Sequence, residues 1–325
     1  MLIAAALVAA STPATADVPD TVASGQWKAM GLTAYPQAAN AAHELERSGT
    51  NVKAMSYAGI GWAAGLAYGW RDPRTTEWLN KVYADRTPSG GWGSEEAWDP
   101  FGDGTVNPAN TTYTISTAWH VGLMLVPAYD AGAVPAKWLT DAARTLLNTN
   151  EDHGPKGPCI SYSLHPNDFG KPCVYNVVAA ASWFLATIAE RGLEPVGRTA
   201  ELWDKVHRWT QTLHQAYDPA IGDWPYSSNQ PPGTSQGAVY NEVVVEALWT
   251  LDPTFAQQTT ATHFAKWPTD TLFLLTRDCS YVDQTYPVAA EVAARPVTSP
   301  QVGLGKATYA VFPLLIHHAC GGTRH

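Results

Sequence analysis

The chain has 325 residues, with 20 Lys and Arg against 29 Asp and Glu, a formal net charge of −9, 15% charged residues and 11% aromatic ones. An acidic chain so poor in cations excludes a nucleic-acid binder, because phosphate neutralisation needs a basic footprint. No run reaches the ~18 apolar residues that span a bilayer, so a globular protein with a large core is expected.

In chain order, Leu2 to Ala10 is a short apolar run followed by Ser11, Thr12, Pro13 and Ala14-Thr15-Ala16. A small-residue site after an apolar stretch predicts a secretory signal peptide over residues 1–16, here without its basic leading segment, and hence a secreted protein. Residues 17–325 contain no Pro/Ser-rich linker or charge block and are expected to form a single domain. Export places Cys159, Cys173, Cys279 and Cys320 in an oxidising setting, where an even count favours disulfides. The economical pairing is Cys159–Cys173 with Cys279–Cys320. A zinc site from Cys159, Cys173, His153 and His165 is the alternative, although its spacing fits no compact ligand pattern.

Five segments start alike: Met55-Ser56-Tyr57, Thr111-Thr112-Tyr113, Cys173-Val174-Tyr175, Ala238-Val239-Tyr240 and Ala307-Thr308-Tyr309. The tyrosines at 57, 113, 175, 240 and 309 are 56, 62, 65 and 69 residues apart, a drifting period that loops of unequal length would produce. Behind them, stretches such as Thr112 to Pro127 and Val174 to Glu190 are apolar on nearly every face and predict inner helices. Between them lie amphipathic segments, predicted as outer helices: Pro36 to Ser48, Asp72 to Ala84, Ala136 to Thr149, Arg198 to Ala216 and Pro253 to Phe264. In the fourth, Leu202, Val206, Trp209 and Leu213 fall at i, i+4, i+7 and i+11, with charges on the other side.

Inner and outer helices in alternation, about five or six hairpins over residues 36 to 320, resemble the α/α toroid of several glycoside hydrolases, polysaccharide lyases and terpenoid cyclases. The expected fold is therefore all-α, a toroid with long rim loops. An open solenoid would need capping repeats, which the sequence does not display. The resemblance implies that the loops before the inner helices gather at one rim, and those loops hold the unusual residues. Ser89 to Asn110 carries Trp92, Trp98, Asp99, Asp103 and Asn110. Asp152 to Gly170 carries His153, Tyr162 and His165. Gly222 to Gln230 carries Asp223, Trp224 and Tyr226. Flat aromatic faces together with planar amides and carboxylates suit a sugar.

A glycoside hydrolase would use a rim acid and a second carboxylate, drawn from Asp99, Asp103, Asp223 and Glu242. A polysaccharide lyase would use a tyrosine or histidine base with amide or cation support, from Asn110, Tyr113, His120, His165, Tyr240, Asn241 and Lys306. The scarcity of cations favours the hydrolase, since a polyanion would be poorly matched. Trp92, Trp98, Asn110, His165, Trp224, Tyr226 and Asn241 are expected to contact the substrate, a polysaccharide or oligosaccharide. A non-catalytic carbohydrate-binding toroid and a terpenoid-cyclase-like enzyme remain further readings, the latter without an Asp-x-Asp-Asp run. No H-E-x-x-H or phosphate-binding G-x-x-x-x-G-K run occurs. No cofactor, metal, nucleic-acid or membrane partner is expected, and a monomer is.

Overall fold

The computed structural model describes residues 74–263. The leader at 1–16, the segment Pro36 to Ser48, the tyrosine repeats at 57 and 309, Lys306, Cys279 and Cys320 lie outside the described residues. Within them are seven α-helices: α1 (Arg74–Ala84), α2 (Gly122–Asp130), α3 (Ala136–Asn148), α4 (Tyr175–Ala189), α5 (Thr199–Ala216), α6 (Ala238–Leu251) and α7 (Pro253–His263). Every predicted helix in this span is present, with ends within three residues of those expected, except that the stretch predicted from Thr112 enters α2 only at Gly122, after a π-turn.

The inner layer is set by apolar residues that leave no solvent face. All fifteen residues of α4 are buried, and the hydroxyl of Ser182 is satisfied inside the helix by donating to Val178 O at 2.8 Å. α4 packs along α6 and against the outer helices α3 and α5, while α7 covers α6. The outer helices are amphipathic as their spacing requires: α5 buries Leu202, Val206, Trp209 and Leu213, and its exposed side carries the Arg208–Asp204 ion pair at 2.8 Å. Gly122, at the start of α2, lets the inner layer close up, because a Cβ there would stand 2.8 Å from the Phe184 ring. No described helix is long and apolar enough to cross a membrane.

Two local features depart from the all-helical expectation. The inner helix after Tyr113 opens with a π-turn over Ser116–Val121 before it becomes α2, and it runs through Pro127 to Asp130, since a proline removes one N–H without barring the last turn. Four short strands also form. β1 (Gly93–Ser94) pairs antiparallel with β2 (Thr111–Thr112). β3 (Glu151–Gly154) pairs with β4 (Gly157–Ile160) in a hairpin, where Gly157 turns the chain at φ 128°.

Candidate active site

Three loops precede inner helices, and main-chain bonds join them edge to edge. Tyr113 and Ser163 form one antiparallel bridge, Val174 and Ser227 another. Thr114 N donates to Tyr162 O at 3.0 Å, Leu164 N to Thr112 O at 3.1 Å and Tyr175 N to Tyr226 O at 3.1 Å. The loops before Tyr113, Tyr175 and Tyr240 thus share one rim at the N-terminal ends of the inner helices, as the repeat implied.

The Cys159–Cys173 disulfide, with Cα atoms 5.9 Å apart, fastens β4 to the entrance of α4. It consumes both sulfurs, which corrects the zinc alternative with His153 and His165, and no metal-binding group of His, Cys, Asp and Glu exists among the described residues. Beside it, Asp152 is buried yet fully engaged, accepting from Asn150 Nδ2 at 2.6 Å, Gly170 N at 2.8 Å and Ser161 Oγ at 2.5 Å.

The predicted aromatic contacts divide into two kinds. Trp92 and Trp224 are completely buried, so the expectation that they stack on a ligand is corrected. Each indole donates to a carbonyl in the last turn of the preceding outer helix, Trp92 to Val82 O at 2.6 Å and Trp224 to Leu213 O at 2.8 Å. A buried indole N–H needs an acceptor, and a carbonyl oxygen has two lone pairs, so Leu213 O serves both the Tyr217 N–H and the Trp224 indole, and each tryptophan covers a helix end.

Trp98, by contrast, is 43% exposed, as is Tyr240. A line of rings connects them. Trp98 meets Tyr113 and Tyr162 edge to face at 5.1 and 5.8 Å between centroids, Tyr226 lies 4.8 Å from Tyr240, and the Tyr162 and Tyr226 hydroxyls are near enough to influence one another. Burial, and then the neighbouring Tyr226 hydroxyl, push the Tyr162 hydroxyl well above its usual range. Phe101 packs on Tyr162 at 5.5 Å. Burial likewise raises the Tyr113 and Tyr226 hydroxyls above their usual range, giving a strip of flat rings with polar edges.

The predicted acids are mostly occupied with the loops that carry them. Asp99 accepts from the N–H groups of Phe101, Gly102, Asp103 and Gly104, which organises an arch from Asp99 to Val106 closed at its base by the Trp98–Asn107 pair at 3.0 and 2.8 Å. Asp103 pairs with Lys171 and Thr105. Asp223 is buried, accepting from Trp224 N at 2.6 Å and from the Ser235 hydroxyl. Glu242 stands one turn into α6, half-buried.

Of the remaining predicted residues, Tyr113 and His120 are buried, the latter inside the π-turn. Asn110 is exposed with φ 62°. The His165 Nδ1 accepts from Asn167 N at 3.3 Å and caps a short 3-10 turn. Asn241 is buried and accepts from Gln236 Nε2 at 2.8 Å. Tyr175 is buried, its hydroxyl pushed up to about 12 by desolvation, whereas Tyr240, at the equivalent place in the repeat, is exposed. Sequence reasoning passed over Asn107 and Asp168, both buried at the centre of this rim. Asp168 closes a Pro-Asn-Asp turn that reads as ordinary loop chemistry.

The arch carries a pH prediction. The hydrogen bond from Lys171, then those from the Thr105 hydroxyl and N–H, lower the Asp103 carboxyl from its usual 3.8 to about 2. Its folded value lies below the unfolded one, so its contribution is complete above pH ~4 and lost as pH falls through about 2. Amide exchange over Gly102 to Val106, relative to intrinsic rates, is therefore expected to be constant down to pH ~4 and to accelerate towards pH ~2. Equal protection at both ends would show that Asp103 does not hold the arch.

No protein-family model and no curated protein matches the sequence. Solved structures share the fold. A reducing-end-xylose-releasing exo-oligoxylanase, in a mutant form complexed with xylobiose, aligns with TM-score 0.53 and 10% identity over 84% of this chain and 82% of that one. Another structure of a reducing-end-xylose-releasing exo-oligoxylanase aligns with TM-score 0.51 and 13% identity over 84% and 81%. The chain is thus helix-rich, with the fold of these enzymes.

Proposed function

We infer that the chain is a secreted, monomeric glycoside hydrolase that takes an oligosaccharide along the strip from Trp98 to Tyr240. The observation that carries this reading is the fold likeness to the two exo-oligoxylanases across 84% of the chain, combined here with aromatic faces exposed on the rim. A pyranose offers C–H groups on one face and hydroxyls around its edge, which rings bearing hydroxyl edges complement. An acidic chain fits a neutral glycan better than a polyanionic one.

The test is to incubate the purified protein with neutral and uronate-bearing oligosaccharides while following reducing ends and ultraviolet absorbance together. New reducing ends without absorbance are the expected result. Absorbance from a C4–C5 double bond would replace hydrolysis by elimination, and silence across the panel would overturn the enzymatic reading. Within an active preparation, Trp98→Ala is expected to raise KM about tenfold, the loss of one stacked ring, with kcat changing much less. Because Trp98 is partly exposed, the thermal midpoint should hardly move, and an unchanged KM would remove Trp98 from the binding strip.

A further inference from the structure

Asp168 ends the 3-10 turn Pro166–Asp168 and is 1% exposed. One carboxylate oxygen accepts from Asn107 Nδ2 at 2.8 Å, while its Oδ1 makes no hydrogen bond, nor does Asn107 Oδ1. The Tyr113 hydroxyl lies 3.5 Å from the same amide nitrogen. No salt bridge reaches Asp168 among the described residues. A buried carboxylate held by one amide is costly, and folded proteins rarely leave such an atom unpaired without a use for it. Asp152, in the same loop and also buried, has three donors. This rim therefore does saturate an acid whose task is structural, and Asp168 is the exception.

We propose that Asp168 is the proton-accepting carboxylate of this rim. The proposal rests on the glycoside hydrolase reading and assigns to it a residue that the sequence did not single out. Asn107 fixes one oxygen, so the unpaired Oδ1 is left as the acceptor. It lies in the loop whose Tyr162 joins Trp98 and Tyr113 in the ring strip. The arch from Asp99 to Val106 lies over this turn, attached by Lys171 to Asp103, by Asn167 Nδ2 to Val106 O at 3.0 Å and by Phe101 on Tyr162. A partly exposed ion pair with its Thr105 contact, one amide bond and one ring contact are few ties for such a segment, so lifting it to admit a sugar and a water costs little. In the step, Oδ1 takes a proton from water as the water oxygen bonds to the anomeric carbon. The glycosidic C–O bond breaks, and its oxygen leaves with a proton from a second carboxylic acid of the chain.

The experiment compares kcat/KM for wild type and Asp168→Asn between about pH 4 and 8 on whichever oligosaccharide the wild type cleaves. The expected result is a fall of at least about 100-fold, carried by kcat with KM within about threefold, and loss of the acidic limb of the profile. An Asn variant within about threefold of wild type, with the acidic limb intact, would falsify the assignment while leaving the hydrolase reading in place. A wild type inactive on every glycan overturns the hydrolase reading instead. Should Asp168→Asn lose its native circular dichroism, Asp168→Ala with added sodium formate decides the matter: turnover that returns with formate supports the proton acceptor, and a folded variant without rescue overturns it.

Discussion

Replacing Gly93 by alanine is expected to destabilise the protein by at least about 3 kcal/mol, one of the largest effects available to a single methyl group here. Gly93 begins β1 and lies opposite Thr112, and a Cβ built on it runs into the Thr111 carbonyl oxygen. That obstacle is backbone, so no rotamer change relieves it, and the strands must separate. The consequence spreads because β2 leads directly into Tyr113 and the π-turn, and Trp92, next to Gly93, carries the indole that caps α1. Thermal unfolding should show a drop in midpoint of roughly 6–12 °C, using 2–4 °C per kcal/mol for a protein of this size. Ser94→Ala, half-exposed in the same strand and losing only the bond its hydroxyl accepts from Glu96 N at 3.1 Å, is the control and is expected to shift the midpoint far less. A Gly93→Ala midpoint within a degree or two of wild type would mean that β1 and β2 do not hold the rim together.

Removal of the Cys159–Cys173 disulfide, as Cys159→Ala with Cys173→Ala, should cost about 2–5 kcal/mol. The bridge closes a loop of sequence separation 14, for which the chain-entropy account gives about 3 kcal/mol. Geometry adds a local consequence. Cys173 N donates to Ser228 Oγ at 3.0 Å, Ser228 N donates back to Cys173 O at 2.9 Å, and a Cβ at Gly154 would stand 2.6 Å from the Cys173 sulfur. The β3–β4 hairpin, the entrance of α4 and the loop before α6 therefore meet at this one residue. Under non-reducing conditions the double variant should show a lower midpoint and less amide protection of residues 150–174 than the wild type. If the two proteins melt together, the bridge contributes nothing and the loop is held by its hydrogen bonds alone.

Much of the architecture was legible because helix periodicity is a local property. Leu202, Val206, Trp209 and Leu213 mark the buried side of α5, and the near-absence of polar residues from Val177 onward marks α4 as enclosed. The repeated tyrosines at 113, 175 and 240 located the starts of the inner helices to within three residues, and the cysteine count anticipated the bridge at 159 and 173. The short strands were not legible. A two-residue pairing such as Gly93–Ser94 with Thr111–Thr112 has no period to read and depends on a partner across an irregular loop.

The chemistry was less legible than the helices, for a reason that particular residues make clear. Trp92, Trp98 and Trp224 are equivalent as letters beside glycine, aspartate and proline, and only the folded chain separates two helix plugs from one exposed ring. Asp99 and Asp103 attract notice because they sit among turn residues, and turn residues are what use them up, through four backbone N–H groups and through Lys171 and Thr105. Asp168 attracted none, because its significance depends on Asn107, 61 residues earlier.

By itself, then, the sequence determined the alternation of buried and amphipathic helices, the loops between them and the acidic, aromatic character of the rim, since composition and periodicity act over one or two helical turns. Only the tertiary structure decided which tryptophans are enclosed, which carboxylates are satisfied and which buried acid is left with an unpaired oxygen. Burial and hydrogen-bond satisfaction are properties of what the chain brings alongside a residue, and along this rim the neighbours come from three separate loops.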